Sequence, residues 1–131
     1  MISTRGRYAL RVMLDLVQNQ GEGYVPMKDV AARQMLSLKY LEQILPALKQ
    51  NKMVIGIQGK GGGYRLTRDP KDYSIGEILR VTEKGLAPVS CLAEGAEECH
   101  YRASCKTIGF WEGLNDVINE YVDSRTLADL L

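Results

Sequence analysis

The residues with most chemical potential in this 131-residue chain are its three cysteines, spaced Cys91-x₇-Cys99-x₅-Cys105. Thiolates are soft donors for zinc and for iron–sulfur clusters. Three of them cannot all close into disulfides within one chain, and a reducing compartment disfavours structural disulfides. Free thiols, a metal or cluster site, and a redox switch remain. Residues 86–106 show little hydrophobic periodicity and read as an irregular loop, which can turn several side chains toward one centre where a helix cannot. The single histidine, His100, adjoins Cys99; neighbours rarely both reach one metal, so it reads as a solvated loop residue. Glu94, Glu97 and Glu98 are further oxygen donors.

A second constellation is suited to reading base edges. Ser37, Lys39, Tyr40, Glu42 and Gln43 lie at the start of one predicted helix. Glutamine pairs bidentately with adenine, and glutamate accepts from cytosine N4. Lys28, Lys39, Lys49, Lys52, Lys60, Arg65 and Arg68 are cations available to neutralise phosphates. Gly59-Lys60-Gly61-Gly62-Gly63 is a basic, glycine-rich loop. It lacks the Lys-Ser/Thr ending of a nucleotide-binding P-loop and does not lead from a strand into a helix. With one histidine and no Ser/His/Asp arrangement in reach, catalysis is not expected.

The elements that must position these groups follow from pattern. Leu10, Met13, Leu14 and Val17 predict an amphipathic helix over 4–19, capped by Ser3 or Thr4 and ended by Gly21-Glu22-Gly23. A short helix runs from about Pro26 to Gln34, with Val30 and Ala31 inward. Ser37 caps a third helix bearing Leu41, Ile44, Leu45 and Leu48, in which Pro46 is expected to kink or reset the pattern. Two short helices joined by a tight link at Met35-Leu36 have helix-turn-helix spacing. Met53–Ile57 and Tyr64–Thr67 read as a hairpin. Ser74 and Glu77 form an expected capping box for a helix to about Lys84. A last helix, about 107–124, carries Phe110, Leu114, Val117 and Tyr121 in one stripe, widened by Trp111, Ile118 and Val122. That is more apolar surface than one small domain covers, so a second copy is expected against it.

Composition fits one globular domain: 45% hydrophobic, 25% charged, with no apolar run near the roughly 18 residues of a membrane span. The N-terminus lacks the pattern of a signal peptide, and a cytoplasmic protein is expected. The net charge of +1 hides an asymmetry. Residues 1–68 carry 11 Lys+Arg against 4 Asp+Glu, and residues 69–131 carry 6 against 12. The basic half is the half expected to meet a polyanion.

Three segments, Ser3-Thr4-Arg5-Gly6-Arg7-Tyr8-Ala9, Leu38-Lys39-Tyr40-Leu41-Glu42-Gln43 and Gly59-Lys60-Gly61-Gly62-Gly63-Tyr64, resemble the IscR/RirA/NsrR/CymR-type family of bacterial winged-helix transcription regulators. Their order and spacing carry the resemblance over essentially the whole chain. It implies a mainly α fold with a small β-hairpin wing: a winged helix-turn-helix over 1–85, a cluster-binding loop over 86–106, and a dimerisation helix and tail over 107–131. It implies a cytoplasmic homodimer on double-stranded DNA with a palindromic operator, with no membrane partner. Lys28, Ser37, Lys39, Tyr40, Glu42 and Gln43 would contact DNA, and Gln58 and Lys60 would sit at a wing that enters the minor groove. Cys91, Cys99 and Cys105 match the loop cysteines with which members bind a [2Fe–2S] or [4Fe–4S] cluster. The histidine that follows the third cysteine in IscR-like members is Ile108 here, and the partner-chain carboxylate of NsrR-like members corresponds to Tyr8. The pattern is closest to RirA-like members, which favours [4Fe–4S], with [2Fe–2S] as the alternative. A cluster-free thiol or zinc switch, and CymR-like control by a partner enzyme, are the competing expectations. Many relatives carry glycine where this chain has Met35.

Overall fold

A computed structural model describes residues 2–131. Five helices and one hairpin follow in order: α1 Thr4–Asn19, α2 Met27–Gln34, α3 Leu38–Gln50, β1 Val54–Ile57, β2 Gly63–Leu66, α4 Ile75–Thr82 and α5 Ile108–Ser124. β1 and β2 are antiparallel, pairing Val54 with Leu66 and Ile57 with Gly63. Val25, just before α2, exchanges backbone hydrogen bonds with Tyr64 at 2.8 and 2.9 Å, so the hairpin is stitched to the helix-turn-helix.

The core joins α1, α2, α3 and the hairpin around Val12, Met13, Leu16, Val30, Ile44, Leu48, Val54 and Tyr73. α3 buries Leu41, Ile44, Leu45 and Leu48, the four positions its spacing predicted. α1 forms as predicted, but its deepest face is rotated from the predicted stripe and shares only Met13 with it. Ala9, Val12, Met13 and Leu16 are buried, whereas Leu10, Leu14 and Val17 are half-buried on its flank. Leu10 packs both against this core and against a second, smaller cluster of Ile75, Leu79 and Leu86, which Ile118 and Val122 of α5 join.

The buried face of α1 also holds a charge. Asp15 is 1% exposed. Arg33 donates to it twice, at 3.0 and 2.7 Å, and Gln34 donates at 2.9 Å. Arg11 completes the clamp by donating to the Gln34 side chain at 3.1 Å and to the Gln34 carbonyl. These bonds fasten α1 to the last turn of α2. Burial disfavours the Asp15 carboxylate, but the bonds from Arg33, Gln34 and Asn19 together with the Arg33 charge outweigh it and hold the carboxyl below its ordinary pKa.

The next residue past that clamp resolves the turn. Met35 is left-handed, φ 54°, and 89% exposed, with its N–H and that of Leu36 donating to the Ala31 carbonyl. Two other expectations are corrected. Pro46 does not reset α3 into a second helix. The helix runs unbroken to Gln50, because Pro46 lies on the exposed side and water can satisfy the Glu42 carbonyl left without its helical donor. The Ser74 capping box is half made. Ser74 Oγ accepts from the Glu77 N–H at 3.0 Å, but the Glu77 carboxylate turns to Arg68, which donates to it at 2.9 and 2.8 Å. α4 also stops at Thr82, short of Lys84.

α5 buries no residue fully. Ile118 and Val122 pack toward α4, and Arg80 of α4 donates to Asp123 at 2.5 and 3.1 Å and to Asn119 at 2.7 Å. Gly76 permits this approach, since a Cβ there would collide with Asp123 Oδ1. Phe110, Val117 and Tyr121 stay exposed. The chain then returns to the winged helix. The Ile75 N–H donates to the Arg125 carbonyl at 2.8 Å, the Leu127 N–H donates to the Tyr73 carbonyl at 2.9 Å, and Leu127 is buried in the main core. The residues after α5 are thus fastened to the chain around Tyr73 and Ile75 and to the main core.

Two stability measurements follow. Asp15→Asn leaves Arg33 without its partner and is expected to cost about 1–3 kcal/mol in urea unfolding near neutral pH. Because the native Asp15 pKa is depressed, its contribution is present above the unfolded carboxyl pKa and is lost as pH falls through the native one. The Asn variant therefore loses that part of the acid sensitivity; an unchanged acid profile would contradict the assignment. Met35→Gly relieves a left-handed side chain with little packing to lose, and is expected to stabilise by about 0.5–1 kcal/mol after the entropy cost of glycine.

Candidate nucleic-acid interface and cysteine loop

α3 divides sharply into two faces. Leu41, Ile44, Leu45 and Leu48 are buried, and Leu38, Lys39, Glu42 and Gln43 are exposed. Ser37 is exposed at the N-cap, where its Oγ accepts from the Tyr40 N–H at 3.0 Å. Tyr40 differs from its neighbours. It is half-buried, its ring meets Tyr8 edge-on at 5.4 Å, and its hydroxyl shares a 3.1 Å hydrogen bond with Thr4. Lys28 is exposed in the first turn of α2.

Gln58 and Lys60 are exposed in the loop joining β1 to β2, where Gly59 and Gly61 adopt φ of 91° and 77°. The Gly62 N–H closes that turn by donating to the Gly59 carbonyl at 3.0 Å. The other cations divide. Lys49 and Lys52 are exposed. Arg65 donates to the Gly23 carbonyl at 3.1 Å, and Arg68 is spent on Glu77 and lies 4.6 Å over the Tyr73 ring. Arg68 therefore leaves the set of candidate phosphate ligands. Its pKa is raised chiefly by the hydrogen bonds to Glu77, whose own carboxyl is lowered by the same bonds.

Two groups behind this surface escaped sequence reasoning. One is the Asp15–Arg33–Gln34 clamp; its only sequence signal is an acidic residue on a helix face that is otherwise apolar. The other is Glu83, which follows α4. Its Oε1 accepts from the Ser3 N–H at 2.8 Å, the Ser3 hydroxyl at 2.8 Å and the Gly6 N–H at 3.1 Å. No local pattern announces a bond across about 80 residues.

The structure does not gather the three cysteines. Cys91 lies in a 3₁₀ turn, Ser90–Leu92, Cys99 is exposed on irregular chain, and Cys105 stands at the entry to α5. Among the described residues no three of His, Cys, Asp and Glu approach closely enough to hold a metal ion. The loop is held by short-range bonds, such as Ala93 N–H to Ser90 and Arg102 N–H to Cys99, and by Arg102 donating to Glu112 of α5 at 3.1 Å. Three thiols on so locally bonded a segment suit a cluster chemically, and the loop must close around it to bring them together. Cys105 stands beside the groups that open α5. Bonding to the Thr107 hydroxyl and to the backbone N–H groups that open α5 lowers its thiol pKa toward the ligating thiolate. His100, Glu94, Glu97 and Glu98 are exposed, and Ile108 and Tyr8 are half-buried.

Comparison with known proteins bears on this geometry. A family model described as Rrf2, iron-dependent transcriptional regulator, matches residues 2–131. The chain is 34% identical over 130 residues to the HTH-type transcriptional regulator IscR of Serratia proteamaculans, covering 99% of this chain and 78% of that protein. Among solved structures it is similar to CymR, the global cysteine regulator of B. subtilis, at 38% identity and a TM-score of 0.80, covering 99% and 95% of the two chains. It is similar to T. potens IscR at 38% identity and a TM-score of 0.78, covering 99% and 85%. Among the described residues no helix is long and apolar enough to cross a membrane.

Proposed function

The chain belongs to the Rrf2 family of transcriptional regulators, and on that premise we propose that it is a homodimeric DNA-binding regulator that senses iron or redox status through its cysteine loop. The observation that carries the DNA-reading half is the two-faced α3: four apolar residues anchor it in the core while Ser37, Lys39, Glu42 and Gln43 stay exposed at its N-terminal end. That is the end a recognition helix presents to base edges in the major groove. Gln43 would read adenine and Glu42 cytosine, with Lys28 and Lys39 on phosphates and Tyr40 held from behind. Gln58 and Lys60 would follow the adjoining minor groove. The exposed stripe of Phe110, Val117 and Tyr121 would pair with its copy in a second chain and set two such heads on a palindromic operator.

Cys91, Cys99 and Cys105 would hold an iron–sulfur cluster, favoured as [4Fe–4S] with [2Fe–2S] as the alternative. When bound, it would supply iron chemistry labile to oxygen, nitric oxide or iron shortage. Cys105 would enter from the mouth of α5, and Cys91 and Cys99 would close the loop. Bringing these thiols together would order residues 88–106, and that ordering would bias how the heads sit. A second reading has a specific support, the likeness to CymR together with cysteines that stand apart. In that reading the thiols act without a cluster, as a zinc or disulfide switch, or a partner enzyme supplies the signal.

Duplexes selected from a random pool, followed by anisotropy titration, test the DNA half. Gln43→Ala is expected to cost about 1–3 kcal/mol and relax one position per half-site. Lys39→Ala is expected to weaken all sequences and to reduce the salt slope by about 1 for each phosphate no longer neutralised. Equal losses on every duplex for both variants would sink the base-reading role. Iron and acid-labile sulfide, assayed on protein purified without oxygen, test the sensor. Matched iron and sulfide, absent from each single Cys→Ala variant, are expected. A protein that remains colourless after anaerobic reconstitution favours the second reading.

A further inference from the structure

α1 opens with orphan N–H donors, as every helix does. Ser3 caps it by accepting from the Arg5 N–H at 3.2 Å. The reciprocal partner in a capping box would be an acidic side chain at the third helical position, but that position is Gly6. Glu83 takes the role from about 80 residues away, accepting from the N–H groups of both Ser3 and Gly6 and from the Ser3 hydroxyl. The carboxylate also faces the positive end of a 16-residue helix. Gly6 leaves the room for it, since a Cβ there would collide with Glu83 Oε1.

The turn fixed in this way is the one that touches α3. Thr4 shares its hydroxyl hydrogen bond with Tyr40, and Tyr8, one turn on, places its ring against the Tyr40 ring. We propose that Glu83 is a positioning residue for the recognition helix: its carboxylate fixes the first turn of α1, and that turn, through Thr4 and Tyr8, fixes Tyr40. The proposal rests on α3 being the base-reading helix. It adds a residue outside the helix-turn-helix on which specificity depends, at the start of the segment that leads to the cysteines.

The test uses the 131-residue chain in its iron-free form, titrated against the selected duplex and a scrambled one. Glu83→Ala is expected to lower affinity for the selected duplex about tenfold, the scale of a single base pairing, and to leave the scrambled duplex within about twofold. Glu83→Gln keeps the accepting oxygen and is expected to restore most of the affinity. Thr4→Val cuts the link to Tyr40 while leaving the cap, and is expected to cost as much as Glu83→Ala. The double variant is expected to bind no more weakly than the worse single one. Additive losses, equal losses on both duplexes, or an unchanged Thr4→Val would each overturn the proposal. If Glu83→Ala does not fold, Thr4→Val and Glu83→Gln still decide it. A wild-type chain that fails to prefer the selected duplex removes the underlying reading of α3, and the proposal with it.

Discussion

The helix-turn-helix of this protein depends on a carboxylate that water barely reaches. A buried charge is costly unless every lone pair it offers is taken, and Asp15 meets that condition by drawing Arg33 and Gln34 onto itself from the last turn of α2. Arg11 then holds Gln34 from the other side. The arrangement is directional in a way an apolar contact is not: it fixes where α2 ends. Since α3 begins only a few residues later, at the Ser37 cap, the clamp also fixes where α3 starts. The left-handed Met35 is tolerated for the same reason, because the residues on both sides of it are already committed.

Satisfied polar groups play a comparable part elsewhere. Glu77 abandons its local cap to take Arg68, tying the chain after β2 to α4. Arg80 ties α4 to α5 through Asp123 and Asn119. Glu83 ties the far end of α4 to the start of α1. α4 is only eight residues long, yet it makes a polar link near its start, its middle and its end. It is the hub through which the winged helix, the cysteine segment and α5 share one frame.

What the sequence made legible tracks the range of the physics involved. α3 was readable because Leu41, Ile44, Leu45 and Leu48 are large, apolar and spaced by the helical period, and the hairpin because glycine clusters and β-prone runs are local signals. The inward face of α1 was not. Its deep positions include Gly6 and Ala9, which are small, and Asp15, which is charged, while the conspicuous Leu10 and Leu14 lie half-buried on the flank, with Leu10 shared between two clusters. The capping box failed because a stronger partner for Glu77 arrives from nine residues away. The cysteine spacing was plain in the sequence; the shape of the loop was not, because its own backbone bonds are short-range and do not choose a single closed form. Tyr40 was recognised as belonging to the DNA-facing helix, but its attachment to α1 is a tertiary fact.

The anchoring of α5 has a mechanical consequence. The groups that hold it lie in its second half and beyond: Ile118, Asn119, Val122, Asp123, and then Leu127 in the core. Its other end is joined to the cysteine segment through Thr107 and through the Arg102–Glu112 pair. α5 is therefore a cantilever, clamped at one end and loaded at the other. The free arm from Ile118 back to Ile108 is about 15 Å long, so a tilt of about 5° at the clamp moves its end by about 1.3 Å. In the proposed dimer this lever length would set how far a rearrangement among three thiols could change the spacing between two reading heads, and DNA of fixed helical repeat is an unforgiving gauge of that spacing.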